Sequence, residues 1–382
     1  MKLLWINDVY ADTSLFINSR VETVRALSRL GVEVEVSFLY RQEIPTYEGL
    51  GPVYYIALPR LTLANRLRAC LQQVNLVRGR RDLDYVIVEP SSVHAFLPVV
   101  ALSKRRSAPK YVLDVRTLPV DREGIRDIIA TTRFWNALSV AAKCFSGITV
   151  ITEPLRDMVS CRLRLPVDSI GVWTPGANVE LFNPEVTEGY RESLGLTDRF
   201  VAMYHGILSP NRGLQSAVKA MDIVRKRHPE ALLFILGTGP ARELLQSLIA
   251  GMGLEKHVTL HPTVEHREVP KFIKDADIGI LPFPPLKGWN VSNPLKLMEY
   301  LAMGKPAIVT DILAHRRIIA DSPCGLYIPD NRPETIAEAL CQAIEQKDQL
   351  PARGQAGAKI IKEGYLWEHQ ARKLKRYLEG LR

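Results

Sequence analysis

The feature that most constrains the fold is an alternation of short apolar runs with longer amphipathic stretches, which starts twice along the chain. The first series of strand-like runs comprises Leu3 to Ile6, Val32 to Phe38, Tyr85 to Val88, Tyr111 to Val115 and Gly147 to Ile151. The second comprises Phe200 to Tyr204, Ala231 to Leu236, Val258 to Leu260, Ile278 to Leu281, Ala307 to Val309 and Gly325 to Ile328. This alternation is typical of parallel sheets covered by helices. Since 382 residues exceed what one hydrophobic core usually organises, we predict an α/β chain with two successive Rossmann-like domains.

The domain boundaries follow from changes in composition. The segment from Asn183 to Asp198 is polar and contains proline and glycine, so we place the join there and divide the chain into domains 1–190 and 191–360. Residues 361–382 form a third part, because one apolar stripe runs along a basic helix. The stripe consists of Trp367, Ala371, Leu374, Leu378 and Leu381. We expect this helix to dock on the N-terminal domain.

Composition excludes several classes of protein. No apolar run reaches the roughly 18 residues that a membrane-spanning helix needs, and Met1 to Ile6 lacks the pattern of a secretory signal. We therefore expect a cytoplasmic protein. The five cysteines are far apart and never in C-x-x-C spacing, which argues against a disulfide framework or a structural zinc site. We expect neither a metal nor a resident cofactor.

Two turns in the second half could bind phosphate. The strand that starts at Phe200 ends in Gly206, and a polar turn with Arg212 leads into a helix. Amide groups at a helix start and a guanidinium suit a diphosphate. Gly237 and Gly239 form a similar turn after the next strand. Each turn could also be a plain strand-to-helix connection, but their repetition favours a nucleotide crevice at the carboxyl edge of one sheet.

A third element is the helix within Ser292 to Thr310. Ser292 or Asn293 can cap it, and Lys296 and Glu299 are neighbours on one face. The carboxylate could accept hydrogen bonds from vicinal hydroxyls, and the lysine could meet a phosphate. The alternative is an i, i+3 salt bridge on a solvated face.

These motifs together resemble the group 1 retaining glycosyltransferases, family four in the usual classification, which have the GT-B architecture. The matching stretches include YHGILSPNRGL (204–214), ILGTGPARELLQSL (235–248) and SNPLKLMEYLAMGKPAIVT (292–310), and they cover most of the chain after Gly171. The resemblance implies two Rossmann-like domains that face each other across a cleft. It also implies transfer of a sugar from a nucleoside diphosphate sugar to a hydroxyl acceptor.

The resemblance also assigns residues to the donor. It implies that Glu299 binds the nucleotide ribose and that Arg212 and Lys296 bind the diphosphate and act in catalysis. The other implied donor contacts are Gly206, Gly237, Gly239, His261, Thr263, Val264 and Asn293. The chain departs from the family pattern at Val291, where a first glutamate is expected, and at Ile207, where an arginine is expected. Residues 7–14 also lack the glycines usual after the first strand.

The N-terminal half supplies the candidates for acceptor binding. Asp8, Asp12 and Asn18 follow the first strand, and Asp114 and Arg116 close the strand that starts at Tyr111. Asp114 is our candidate for a catalytic base if the reaction needs one. The alternative is a buried ion pair between Asp114 and Arg116. His94 is a further candidate for ligand contact.

The segment from Arg60 to Lys110 holds ten basic and three acidic residues, within a chain of net charge +9. Arg60 to Arg81 can form a helix with Leu63, Leu67, Cys70, Leu71 and Val74 on one side. Such a helix can lie on an anionic membrane surface, which would make the protein peripheral on the inner face of the cytoplasmic membrane. Alternatively, the leucines pack in the core. We expect no binding of nucleic acid, because no recognised module is present.

Three functions remain after the sequence analysis. The first is a metal-independent retaining glycosyltransferase whose acceptor is a lipid-linked or surface-glycan precursor. The second is a subunit that binds sugar nucleotides without turnover, which Val291 and Ile207 would support. The third is a phosphorylase or sugar-phosphate synthase with the same architecture.

Overall fold

A computed structural model of the chain describes residues 1–14, 17–102, 108–119, 125–185 and 187–381. The chain divides into two compact units. The N-terminal unit comprises Met1–Pro175 and Trp367–Arg382, and the C-terminal unit comprises Gly176–Leu366. Each unit is built on one sheet.

The sheet of the N-terminal unit has seven parallel strands in the order β3-β2-β1-β4-β5-β6-β7. They are β1 (Lys2–Tyr10), β2 (Glu33–Tyr40), β3 (Val53–Ala57), β4 (Tyr85–Val88), β5 (Lys110–Val115), β6 (Gly147–Val150) and β7 (Ile170–Val172). The helices between them are α1 (Ile17–Arg29), α2 (Leu63–Val77), α3 (Val93–Leu102), α4 (Ile125–Cys144) and α5 (Glu153–Leu163). Thr62 and Thr152 begin α2 and α5 by accepting the amide hydrogens of Asn65 and Leu155.

The sheet of the C-terminal unit has six parallel strands in the order β10-β9-β8-β11-β12-β13. They are β8 (Phe200–His205), β9 (Ala231–Leu236), β10 (Val258–His261), β11 (Ile278–Leu281), β12 (Ala307–Thr310) and β13 (Gly325–Ile328). The helices are α6 (Leu214–Val224), α7 (Arg242–Met252), α8 (Val269–Asp275), α9 (Lys287–Asn290), α10 (Leu295–Ala302), α11 (Leu313–Ile319), α12 (Pro333–Glu345) and α13 (Leu350–Gly364). Every residue of β8, β9, β11 and β12 is buried, as expected for strands covered on both faces.

The predicted α/β fold with two Rossmann-like sheets is confirmed, and all eleven predicted strands are present. Two further strands, β3 and β7, were not predicted from the sequence. The first strand is also longer than predicted, because β1 continues past Ile6 with a shift of register before Tyr10. Asn7 and Asp8 therefore lie within the strand and not in a loop.

The units divide at Pro175 and Leu366, whereas the sequence placed the divisions after residues 190 and 360. Residues 176–190 pack with the C-terminal unit because several polar groups tie them there. The Tyr190 amide donates to Asp275 (2.6 Å), and Lys274 donates to the Pro184 carbonyl (2.5 Å). Residues 361–364 are the end of α13.

The last helix, α14 (Trp367–Gly380), packs on the N-terminal unit as predicted. Its stripe of Trp367, Ala371, Leu374 and Leu378 is buried. The ring of Tyr377 covers Gly171 in β7, where a Cβ would meet the ring carbons. The Tyr85 hydroxyl donates to the Leu378 carbonyl at 2.7 Å.

Candidate functional site

Three turns meet at the carboxyl edge of the sheet in the C-terminal unit. The Gly206 amide after β8 donates to Leu236 in β9 (2.9 Å), and the Leu208 amide donates to Thr238 (2.9 Å). The Gly237 amide in turn donates to His261 in β10 (3.0 Å). The turns after β8 and β9 are therefore joined through their backbones.

This close approach explains the glycines of both turns. Gly237 and Gly239 have φ values of +149° and +156°. A Cβ on Gly237 would meet the Gly206 carbonyl, and one on Gly239 would meet the Leu208 backbone. The glycines are thus needed for packing of one turn on the other, whether or not a ligand lies above them.

Arg212 is buried at the start of α6. Its Cζ lies 4.2 Å from the ring centre of Trp289 and 5.4 Å from that of Phe283. Its Nε donates to the Ser209 hydroxyl at 3.2 Å. The Trp289 indole is itself held, since its Nε1 donates to the Asn211 carbonyl at 3.2 Å. The guanidinium therefore rests on aromatic rings.

Lys296, in the first turn of α10, shares the Phe283 ring with Arg212. Its Nζ is 5.2 Å from the ring centre of Tyr204 and 5.7 Å from that of Phe283. A Cβ placed on Gly206 would lie 3.4 Å from the same Nζ. Burial and repulsion by Arg212 lower the pKa of Lys296 to about 7, against the attraction of Glu299.

The two cations share a lack of acidic partners. Within the described part of the chain, no carboxylate lies within ion-pair distance of Arg212 or Lys296. Two cations that repel each other without a neutralising carboxylate favour binding of an anion. This geometry excludes the alternative of a salt bridge between Lys296 and Glu299 on a solvated face.

Glu299 is buried one turn further along α10 and contacts two histidines. Its Oε1 accepts a hydrogen bond from His266 Nε2 at 3.1 Å, and its Oε2 lies 3.1 Å from His205 Nε2. Burial alone would raise the pKa of Glu299, but the His266 hydrogen bond and the nearby His205 and Lys296 hold it below its usual value. The carboxylate is therefore ionised at neutral pH. Neither histidine was predicted from the sequence as a site residue.

The residues after β10 differ in their surroundings. The His261 ring packs against Phe234 and Phe272, with centres 5.8 and 5.0 Å apart, whereas Thr263 is exposed and Val264 is half-buried. Arg242 secures this edge, because its guanidinium donates to the carbonyls of Gly237 (2.9 Å), His261 (3.3 Å) and Leu260 (3.2 Å). The sequence analysis did not single out Arg242.

The start of α10 differs from the prediction. Pro294 occupies the N-cap position, and neither Ser292 nor Asn293 caps the helix, because the Ser292 hydroxyl donates to Trp289 instead (2.8 Å). Asn293 Nδ2 is buried without a hydrogen-bond partner in the described structure. Val291 is buried.

The carboxyl edge of the sheet in the N-terminal unit holds a different set of charges. The Arg20 guanidinium donates to Asn7 Oδ1 (2.9 Å) and to Glu89 Oε1 (2.6 Å), and its Cζ lies 5.3 Å from the Trp5 ring centre. Arg20 and Glu89 are both buried. Each charge in this pair has an opposite charge beside it.

Asp8 lies at the same edge. Its Oδ1 accepts from the Ser92 hydroxyl at 2.8 Å, and its Oδ2 is buried without a hydrogen-bond partner among the described residues. Burial and the charge of Glu89 raise the pKa of Asp8 to about 7. This carboxyl group therefore changes charge near neutral pH.

Asp114 and Arg116 form the ion pair that was the alternative prediction. Asp114 is fully buried, and its Oδ1 accepts from Thr149 (2.8 Å) and Trp173 (3.2 Å) while its Oδ2 lies 3.9 Å from Arg116 Nε. The Arg116 Cζ lies 3.9 Å from the ring centre of Trp173. Burial raises the pKa of Asp114 and lowers that of Arg116 to about 10. These contacts hold the Asp114 carboxylate within the N-terminal unit, and its role as a catalytic base stays a prediction.

The other N-terminal candidates have different surroundings. Asp12 Oδ2 accepts the amides of Arg41 (2.9 Å) and Gln42 (2.8 Å), so it fixes the end of β2. Asn18 is half-buried in the first turn of α1. His94 Nε2 lies 2.7 Å from Asn136 Oδ1.

In residues 1–14, 17–102, 108–119, 125–185 and 187–381, no group of three or more His, Cys, Asp or Glu side chains could hold a metal ion. Within the same ranges, no helix has the length and apolar character required to cross a bilayer.

Comparison with known proteins identifies relatives. Residues 186–365 match the family model of glycosyl transferases group 1. The chain is 25% identical over 230 residues to the alpha-D-kanosaminyltransferase of Streptomyces kanamyceticus, covering 59% of this chain and 57% of that enzyme. It is 24% identical over 276 residues to a GDP-mannose-dependent alpha-(1-6)-phosphatidylinositol monomannoside mannosyltransferase of Mycolicibacterium smegmatis, covering 68% and 72% of the two chains. The match thus spans little more than half of the first relative.

The fold has a close counterpart among solved structures. The crystal structure of Anabaena Alr3699/HepE in complex with UDP-glucose superposes with a TM-score of 0.80 at 13% identity and covers 100% of both chains. This likeness shows the GT-B architecture.

Proposed function

We propose that this chain, which belongs to the group 1 glycosyltransferases with the GT-B fold, transfers a sugar from a nucleoside diphosphate sugar to a hydroxyl acceptor. The observation that carries the proposal is the pair of cations, Arg212 and Lys296, which rest on aromatic rings without a carboxylate partner in the described structure. They lie at the carboxyl edge of a parallel sheet, where such folds bind nucleotides.

The cations act on the leaving group. When the bond between the anomeric carbon and the diphosphate breaks, negative charge grows on the departing oxygen. Arg212 and Lys296 stabilise that charge, together with the amide dipoles at the starts of α6 and α10. The acceptor oxygen forms the new bond on the same face of the sugar, and its proton passes to the departing phosphate. No metal is needed in this scheme.

Glu299 binds the nucleoside. Its carboxylate is buried, ionised and within the same unit as the cations, and it can accept hydrogen bonds from both ribose hydroxyls. Asn293, whose buried amide has no partner among the described residues, is suited to donate to the donor sugar or phosphate. The glycine turns, His261, Thr263 and Val264 remain predicted contacts of the donor.

The N-terminal unit binds the acceptor in this proposal. Its charges are largely paired, which suits a neutral polyhydroxylated group better than a diphosphate. Asp8 Oδ2 and Arg116 Nη1 are buried without hydrogen-bond partners in the described structure. They can accept and donate hydrogen bonds to sugar hydroxyls. The acceptor class that we propose is a lipid-linked or surface-glycan precursor.

A panel of nucleoside diphosphates and their sugars, with uracil, guanine, adenine or thymine, tests the proposal. A donor that binds the native state raises the melting temperature. We expect the nucleotides with one of these bases to raise the melting temperature. The nucleoside diphosphate sugar with that base should undergo sugar transfer or slow hydrolysis, and EDTA should not change the rate. Binding without either reaction would support a subunit that only binds sugar nucleotides. Formation of a sugar phosphate that requires added inorganic phosphate would support a phosphorylase. No stabilisation by any compound would contradict the proposal.

We further propose that α2 brings the enzyme to an anionic membrane. Leu63, Leu67 and Leu71 recur every fourth residue and are 75%, 57% and 63% exposed. Their exposure contradicts the alternative in which they pack in the core, because the buried face of α2 consists of Ala69, Gln73 and Val77. Exposed arginines flank the leucines at positions 60, 66, 68 and 78. The predicted basic cluster at Lys104, Arg105 and Arg106 lies outside the described residues.

Co-sedimentation with vesicles tests the membrane surface. We expect binding to vesicles that contain anionic lipid and little binding to neutral ones, since each basic residue near such a surface contributes about 1 kcal/mol. The variant Leu67→Glu with Arg66→Ala should lose most of the binding. A matched control is Ile223→Glu with Lys226→Ala in the C-terminal unit. Equal vesicle binding by both variants, or vesicle binding that does not depend on anionic lipid, would contradict the proposal that α2 binds the membrane.

A further inference from the structure

Glu299 does not stand alone at the proposed ribose site, because two histidines from other segments contact its two oxygens. His266 Nε2 donates to Oε1 at 3.1 Å, and His205 Nε2 lies 3.1 Å from Oε2. A carboxylate has about four lone-pair sites for hydrogen bonds. Two of these lone-pair sites on Glu299 face the histidines, and the remaining sites are available to a ligand.

The two histidines differ in what they supply. His205 is buried against Tyr300, with ring centres 4.9 Å apart, and burial lowers its pKa to about 4. The His205 imidazole therefore stays neutral, and its ring packs beside the Glu299 carboxylate. The hydrogen bond that fixes the direction of Glu299 comes from His266, whose side chain is 26% exposed.

His266 is itself held by segments far away in the chain. Its ring packs against Phe182 with centres 5.4 Å apart. The same turn is fixed two residues later, where Glu268 accepts hydrogen bonds from the Tyr190 hydroxyl (2.6 Å) and from Lys271 (2.9 Å). Phe182 and Tyr190 come from the segment that the sequence analysis had placed in the other domain. A glutamate that would otherwise sample several rotamers is thereby held in one.

We propose that His266 is a positioning residue for the nucleotide ribose: it fixes the Glu299 carboxylate so that its free lone pairs face both ribose hydroxyls. The inference rests on the proposed function and deepens it, since it makes recognition of ribose, as opposed to deoxyribose, depend on a residue that does not touch the nucleotide. His266 acts through Glu299, whereas Arg212 and Lys296 bind the diphosphate independently of it.

Calorimetric titration with paired ligands tests the inference. The probes are the ribonucleoside diphosphate with the base that binds best in the panel, and its 2′-deoxy and 3′-deoxy counterparts. We expect the native chain to prefer the ribonucleotide by about tenfold, as loss of one hydrogen bond to a charged group requires. His266→Leu should reduce this preference to less than about threefold and leave the affinity for the deoxy compounds within about twofold.

Two further variants separate positioning from folding. His266→Gln keeps an amide donor near the position of Nε2 and should restore most of the preference. His257→Leu is a matched control, because His257 is a half-buried histidine of the same unit that contacts the Ala231 carbonyl at 3.1 Å and not Glu299. It should keep the full preference. Should His266→Leu fail to fold, the comparison of His266→Gln with Phe182→Leu decides, and we expect a reduced preference only in the latter.

The outcomes distinguish this inference from the proposed function. An unchanged preference in His266→Leu, or equal weakening of ribose and deoxyribose compounds, would overturn the positioning role. If Glu299→Ala abolishes the preference while His266→Leu keeps it, only the present inference fails. If Glu299→Ala also keeps the preference, the assignment of Glu299 to the ribose fails as well.

Discussion

The carboxyl edges of the two sheets are built on the same plan but treat charge in opposite ways. In the N-terminal unit, Arg20 pairs with Glu89 and Arg116 lies beside Asp114. In the C-terminal unit, Arg212 and Lys296 lie on aromatic rings with no carboxylate partner among the described residues. The first edge balances its own charges, whereas the second leaves positive charge for a ligand.

This difference is what we expect if the two units bind the two kinds of substrate that we propose. A buried ion pair contributes little net stability, but removal of one partner leaves an uncompensated charge. A buried cation without a partner costs stability in the free protein and gains energy when an anion binds. Mutations at the N-terminal edge should therefore affect folding first, and mutations at the C-terminal edge should affect binding first.

The largest effect should come from the N-terminal edge. Arg20→Ala leaves Glu89 buried without its partner, so we expect the free energy of unfolding to fall by about 3 to 5 kcal/mol. Urea denaturation, followed by a probe in the N-terminal unit, measures this change. Arg66→Ala, which removes an exposed arginine of α2, is the control and should change stability little. If Arg20→Ala lowers the free energy of unfolding by less than about 1 kcal/mol, the proposed difference in charge balance between the two sheet edges would be contradicted.

The corresponding change at the C-terminal edge should act on affinity. Arg212→Met keeps an apolar side chain between Trp289 and Phe283 but removes the charge. We expect the affinity for the nucleoside diphosphate to fall about 10- to 150-fold, while stability stays nearly unchanged. Calorimetric titration and denaturation measure the two quantities. A variant that unfolds more easily and binds normally would show that Arg212 is structural.

A smaller effect concerns pH. The pKa of Lys296 is about 7 in the free chain, and an anionic ligand favours the charged form. Binding then takes up a proton above pH 7, so affinity for a nucleoside diphosphate sugar should fall as pH rises, by at most about tenfold per pH unit. Lys296→Arg stays charged and should remove this dependence. An identical pH profile for both proteins would contradict the assigned role of Lys296.

The smallest effect should occur at Asp12, which the sequence placed with the acceptor. Because its carboxylate accepts the amides of Arg41 and Gln42, Asp12→Ala should cost about 1 kcal/mol of stability and leave transfer unchanged. Thermal denaturation and kinetics on the natural acceptor check this. An increased KM for the acceptor would instead support the original prediction.

Patterns that repeat along the chain were sufficient to predict the fold. The apolar runs of β8, β9 and β12 are buried on both faces, and their composition shows this directly. β7 was missed because it has only three residues, and the strand gains its cover from Tyr377 near the end of the chain. The apolar stripe of α14 predicted that this helix docks on the N-terminal unit. It did not predict which residues of that unit the helix covers.

The candidate site was predictable only in part. Arg212, Lys296 and Glu299 stand in recognisable motifs, and the structure brings the two cations to the ring of Phe283. The contact of Glu299 with His266 joins residues 33 positions apart, and no local spacing reveals it. The contact between Trp289 and Arg212 likewise depends on tertiary packing and not on a local sequence pattern. Residues that hold a reactive group in place depend on tertiary contacts, whereas the group itself often lies in a local pattern.

The N-terminal unit is formed by two stretches that are separate in the sequence, and this has a consequence for biosynthesis. α14 follows residues 176–366 in the chain, so the ribosome synthesises this helix only after the whole of the other unit. Until then, Gly171 in β7 and Gly147 in β6 lack the cover that Tyr377 provides in the folded chain. The N-terminal unit therefore cannot complete its packing until the stretch that forms the other unit has been translated.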